Sequence, residues 1–193
     1  MPQAFTTEQM EKIRARLFES ACRHAVEPGL KKTSLDALTA DAGISKSTFY
    51  KFYESKELLF QEVADYWEGL IISETERVLH ETTGKSSKER AAAAVNAAFN
   101  RLAELNAMRF LREDLPLLTD FFSKEALKHY RSMSLCIFET LKREQIQFTV
   151  SEEIICSVIH ILYLCVQNVR ELGDSFADAL RELVLSACEK MVA

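Results

Sequence analysis

Four side chains share one face of a short stretch near the N-terminus. In ISKSTFYKFY (44–53), Lys46, Ser47, Tyr50 and Lys51 fall on one side of a helix. Phe49, Phe52 and Tyr53, spaced i, i+3, i+4, fall on the other. A lysine can donate to guanine O6 and N7, and short hydroxyls suit groove edges or phosphates. The polar face is therefore expected to meet a polyanion, and the aromatic face to turn inward. A merely solvated helix face is the plainer alternative for the four polar residues.

The elements around this stretch give it a purpose. Leu35, Leu38, Thr39 and Ala42 recur at i, i+3, i+4, i+7, which predicts a short helix with one mostly apolar face. Gly43 permits the positive φ that ends a helix and turns the chain. Ile44 should anchor the turn, and Ser45 should cap the second helix. A short helix, a tight glycine turn and a second short helix form a helix-turn-helix. Its second helix fits the major groove of B-DNA, about 12 Å wide.

The rest of the chain reads as helix too. Five glycines and three prolines are too few for the turns of an all-β fold. Pro28-Gly29, Gly43, Gly84, Pro116 and Gly173 punctuate periodic segments. Thr6 with Gln9, Thr33 with Asp36, and Ser86 with Glu89 have capping-box spacing. The sequence predicts an all-α chain of nine helices, near 7–27, 34–42, 46–52, 56–81, 87–105, 107–113, 120–145, 151–172 and 175–192. QFTV (147–150) reads as a loop.

At this point the chain resembles the TetR family of bacterial transcriptional regulators. The resemblance covers residues 10–63 and is closest in GISKSTFYKFYESKELLF (43–60). Glycine, a small apolar residue, a Ser cap, Thr-aromatic-Tyr, a paired aromatic and Ser-Lys-Glu stand at that family's spacing. It implies a helix-turn-helix DNA-binding domain at 1–53 and a ligand-binding and dimerisation domain at 54–193. It further implies base contacts from Lys46, Ser47 and Thr48, and phosphate contacts from Tyr50, Lys51 and Lys56, with Thr33 or Ser34 assisting and Ser45 among the DNA-facing residues. Two positions depart from the pattern. Asp36 is acidic where many relatives are basic or neutral, and Phe52-Tyr53 inverts the commoner Tyr-Phe order. An effector cavity among the body helices is implied as well, with Trp67, Phe99, Tyr130, Met133, His160 and Tyr163 as its candidate lining. Core packing is the plainer role for each of those aromatics.

Charge and composition agree with this outline. Residues 1–56 hold nine Lys/Arg against seven Asp/Glu, while the whole chain carries −5. The longest apolar run, Ile154 to Val166, is shorter than the roughly 20 residues of a membrane span. It reads as a helix buried on every side, one face on its own body and the other on a partner subunit. A homodimer through residues 151–192 is therefore expected. No secretory signal is visible and the five cysteines lack metal-ligand spacing, so a cytoplasmic protein with free thiols, no metal and no cofactor is expected. No catalytic motif appears. The leading expectation is a repressor released from a palindromic operator by a small-molecule effector. The alternative is a constitutive or architectural DNA binder without one.

Overall fold

The computed structural model describes residues 5–121, 133–167, 173 and 175–193. Nine α-helices occur among them: α1 (Thr7–Val26), α2 (Leu35–Ala42), α3 (Lys46–Phe49), α4 (Lys56–Glu81), α5 (Ser87–Glu104), α6 (Leu115–Phe121), α7 (Met133–Arg143), α8 (Glu152–Gln167) and α9 (Phe176–Met191). The chain divides into two compact units, residues 1–66 with 109–123, and residues 67–108 with 124–193. Helix α4 gives its first part to one unit and the remainder to the other.

In the first unit, Thr6 and Gln9 close a reciprocal capping box that starts α1. Ile13, Leu17, Ala21 and Ala25 follow at four-residue spacing and are buried. The α2 helix ends at Gly43, where φ is +68° and a side chain would be strained. Phe49, Leu59, Phe60 and Phe110 are fully buried in this unit, with the Phe60 and Phe110 rings stacked at 6.3 Å. In the second unit, Ser86 and Glu89 close the other capping box, and α5 buries Ala94, Val95, Ala98, Phe99 and Leu102.

Several boundaries differ from the sequence expectation. Thr33 and Asp36 form no capping box. Ser34 caps α2 by accepting from the Ala37 amide at 3.1 Å. The Thr33 hydroxyl instead donates to the Gly29 carbonyl at 2.6 Å and is buried. Helix α3 stops at Phe49, and the chain turns at 50–52. Pro116 does not separate helices. A π-helical stretch, Phe110–Asp114, precedes it, and the Leu115 amide reaches back five residues to the Phe110 carbonyl. This wider turn runs into α6, where Pro116 has no N–H to contribute. The predicted helices 120–145 and 151–172 lie partly outside the described residues. QFTV is a loop whose Phe148 forms an isolated antiparallel bridge with Val192.

Helix α8 is not buried all round within the chain. Ile155, Ile159, Leu162 and Val166 are buried, whereas Ile154, Ile161 and Leu164 are exposed. No helix among the described residues is long and apolar enough to cross a membrane.

Candidate nucleic-acid interface

The polar face of the second helix is exposed, and the opposite face is not. Lys46, Ser47, Tyr50 and Lys51 are exposed, and Phe49 on the reverse side is fully buried. Of the pair that follows, Tyr53 is buried and Phe52 only half-buried. The inverted aromatic order is thus resolved in favour of the tyrosine. Its ring lies 5.8 Å from that of Phe49.

Three polar clusters hold this face in place. On α2, the Asp41 carboxylate accepts from the buried Ser20 hydroxyl at 2.7 Å. Arg23 and His24 approach the same oxygen at 3.2 and 3.3 Å. The Ser20 bond first, then Arg23 and His24, hold the Asp41 carboxyl below its ordinary range. This cluster ties α2 to α1. After α3, the Tyr53 hydroxyl donates to Glu62 at 2.8 Å, and Arg14 reaches the same carboxylate at 3.1 Å. Burial and the Glu62 contact both push the Tyr53 hydroxyl upward. That cluster ties the end of the turn to α4 and α1. Lys56, opening α4, donates to the Leu30 and Thr33 carbonyls at 2.9 and 2.7 Å.

The predicted contact residues are therefore not equivalent. Lys56 spends two of its three ammonium donors on its own backbone. Thr33 is turned inward, so its hydroxyl is not available to a phosphate. Ser34 is exposed, with its oxygen engaged as the α2 cap. The Ser45 hydroxyl caps α3 and lies 2.9 Å from Ser47 Oγ and 3.0 Å from Thr48 Oγ1. These short hydroxyls form one cluster at the start of the helix. Lys51 Nζ sits 5.4 Å from the Phe5 ring centre.

Lys46 has a partner that the sequence reading did not assign. Its Nζ lies 2.8 Å from Asp36 Oδ1, across the turn on α2. Ten residues separate the two, and neither helix's periodicity signals the pairing. A second unforeseen feature is Arg109. Its guanidinium donates to the Ala25 and Val26 carbonyls and to Asp114. Asp114 also accepts from the Leu30 amide at 3.0 Å, fastening the α1–α2 loop.

The six candidate effector residues are dispersed in exposure. Trp67 and Phe99 are buried, Met133 and Tyr163 half-buried, and His160 exposed with its ring stacked 6.0 Å from Tyr163. Tyr130 lies outside the described residues. A small apolar pocket of about 30 Å³ stands elsewhere, lined by residues that include Val95, Leu141, Ile155, Ile159, Val184 and Met191 and none of those six. The described residues contain no cluster of His, Cys, Asp and Glu suited to a metal ion. None of the five cysteines forms a disulfide, and burial pushes the Cys22 and Cys188 thiols up to about 11.

An all-helical chain carrying a helix-turn-helix in its first unit is the class that this fold defines. Residues 17–63 match the family described as bacterial regulatory proteins, tetR family. A curated relative, the uncharacterized HTH-type transcriptional regulator YerO of Bacillus subtilis (strain 168), is 26% identical over 90 residues. That match covers 47% of this chain and 31% of the relative, so the chain aligns with about a third of the relative's length. Among solved structures, a TetR-family transcriptional regulator from Haemophilus influenzae RD is similar with a TM-score of 0.66 at 14% identity, covering 97% of this chain and 100% of that one. RolR in complex with its ligand resorcinol is similar with a TM-score of 0.55 at 20% identity, covering 94% and 89%. The chain is thus similar to TetR-family regulators over residues 17–63 and shares its fold with solved structures of that family.

Proposed function

We propose that this chain is a cytoplasmic DNA-binding repressor, released from a palindromic operator by a small-molecule effector. Residues 1–53 bind DNA, and residues 54–193 bind the effector and dimerise. The observation that carries this reading is the exposed face of Lys46, Ser47, Tyr50 and Lys51, backed by a fully buried Phe49. A helix so mounted can enter a major groove without disturbing its own core. Lys46, with the hydroxyls of Ser47 and Thr48, reads base edges. Tyr50 and Lys51 grip phosphates, with Ser34, Ser45 and the remaining donor of Lys56 beside them.

A homodimer through residues 151–192 holds two such helices about one DNA turn apart, near 34–36 Å. The exposed Ile161 and Leu164 of α8 and Leu183 of α9 support that interface. The effector must bind the released form more tightly than the DNA-bound form, because only differential affinity moves the balance. RolR, which is similar in fold, holds resorcinol, and this supports a small organic effector here.

A constitutive regulator without an effector is the second reading. The test is operator binding by fluorescence anisotropy, repeated across a metabolite panel. Release by one compound class supports the repressor. Binding that no compound alters supports the constitutive regulator.

A further inference from the structure

Asp36 is the acidic side chain that faces the base-reading lysine. Its Oδ1 lies 2.8 Å from Lys46 Nζ, and the side chains are 74% and 53% exposed. An exposed pair of this kind adds little to fold stability. Nor is it needed to join the two helices. The Asp41, Tyr53 and Lys56 clusters already fix α2 and the turn after α3 from the buried side. The pair therefore stands where it can act on what Lys46 touches.

Lysine alone is a poor discriminator. Its charge is compact, its four-carbon stem is flexible, and its three donors rotate. An untethered Lys46 could swing to any nearby phosphate, and phosphate contacts carry no sequence information. Asp36 changes this in two ways. It biases Nζ toward one point on the exposed surface, and it offsets part of the charge that would otherwise attract any backbone. Donors not used by Asp36 still meet the two acceptors of guanine, O6 and N7.

We infer that Asp36 is a positioning residue for sequence specificity: by holding Lys46 it suppresses non-specific DNA binding and confines the lysine to one base position in each half-site. This rests on the DNA-binding reading above. Asp36→Asn then strengthens binding to random duplex more than binding to the selected operator. The ratio of specific to non-specific affinity falls by up to about fivefold, the reach of an exposed ion pair. The salt dependence of non-specific binding steepens by about one phosphate per subunit, because Lys46 is released to the backbone.

The experiment is a double-variant cycle with wild type, Asp36→Asn, Lys46→Ala and the combination. Each is measured on the operator selected by the wild type and on random duplex at two salt concentrations. A melting curve checks that each is folded. The expected result is a lower specificity ratio for Asp36→Asn in the wild-type background and no further change in the Lys46→Ala background. Equal tightening on both DNAs overturns the inference, since Asp36 then acts only by repelling phosphates. So does an equal fall of the ratio in the Lys46→Ala background, since Asp36 then acts without the lysine. If the wild type selects no sequence at all, the DNA-binding reading fails, and the inference with it.

Discussion

The buried Asp114 carboxylate lies 3.1 Å from the Arg109 guanidinium, and the pair fastens the loop that leads into the helix-turn-helix. Arg109 occupies the space beside Gly29, where an added Cβ would clash with the guanidinium. Gly29 also has φ +99°, a conformation that side chains resist. Asp114→Ala should cost about 1.5–3 kcal/mol, the range for a lost hydrogen bond to a charged group. Gly29→Ala should destabilise too, by displacing the same guanidinium. Because both act through Arg109, the double variant should lose less than the sum. Chemical denaturation of the four proteins checks this, and strict additivity would detach Gly29 from the pair.

Tyr53→Phe keeps the buried ring and removes the donor to Glu62. Arg14 still faces that carboxylate, which is partly open to solvent. A loss near 1.5 kcal/mol, the lower end of the charged hydrogen-bond range, is expected. Phe52→Leu should cost less than Tyr53→Leu, because Phe52 is the less buried of the two. Urea melts of the three variants rank them, and the opposite order for the leucine pair would reverse the assignment of the inward ring.

These two clusters mark where linear reading succeeds and stops. The helix-turn-helix was legible because its signals are local: a glycine with positive φ, a serine cap, and aromatics at helical spacing. Which of Phe52 and Tyr53 is the more buried was not, because the reason is Glu62 on the next helix. Arg109 and Asp114 act on residues more than 80 positions earlier, which no periodicity connects. Thr33 misled for a related cause. Its capping-box spacing with Asp36 is correct, but both side chains have better partners, in the Gly29 carbonyl and Lys46.

The Asp41 carboxyl, held below its ordinary range, gives the first unit an acid-sensitive contact. Its stabilising effect is fully present above the unfolded-state value of about 3.9 and is lost as pH falls through the lower folded-state value. Asp41→Asn removes that contribution. The wild type should therefore be the more stable protein at neutral pH, and the difference should shrink below about pH 4. Thermal melts between pH 3 and 7 are the check, with a pH-independent difference as the contrary result.

Two apolar positions on the last helices should behave differently. Leu183 is 54% exposed, whereas Ile159 is 4% exposed and packed inside its own subunit. Leu183→Glu should give a folded monomer, because it places a charge only in the proposed subunit interface. Ile159→Glu should instead destabilise the subunit itself, by burying an unpaired charge. Sedimentation and circular dichroism separate the outcomes. A fully dimeric Leu183→Glu protein would move the interface away from α9.

On the proposed reading, the exposed face of α3 reads DNA sequence. Selection of bound duplexes from a random pool tests it most directly, run in parallel with wild type and Lys46→Ala. A palindromic motif is expected for the wild type, with half-sites about one helical turn apart. Lys46→Ala should lose about 1–3 kcal/mol on that motif and relax preference at one position per half-site. An unenriched pool, or a motif that Lys46→Ala reproduces with undiminished affinity, would contradict it.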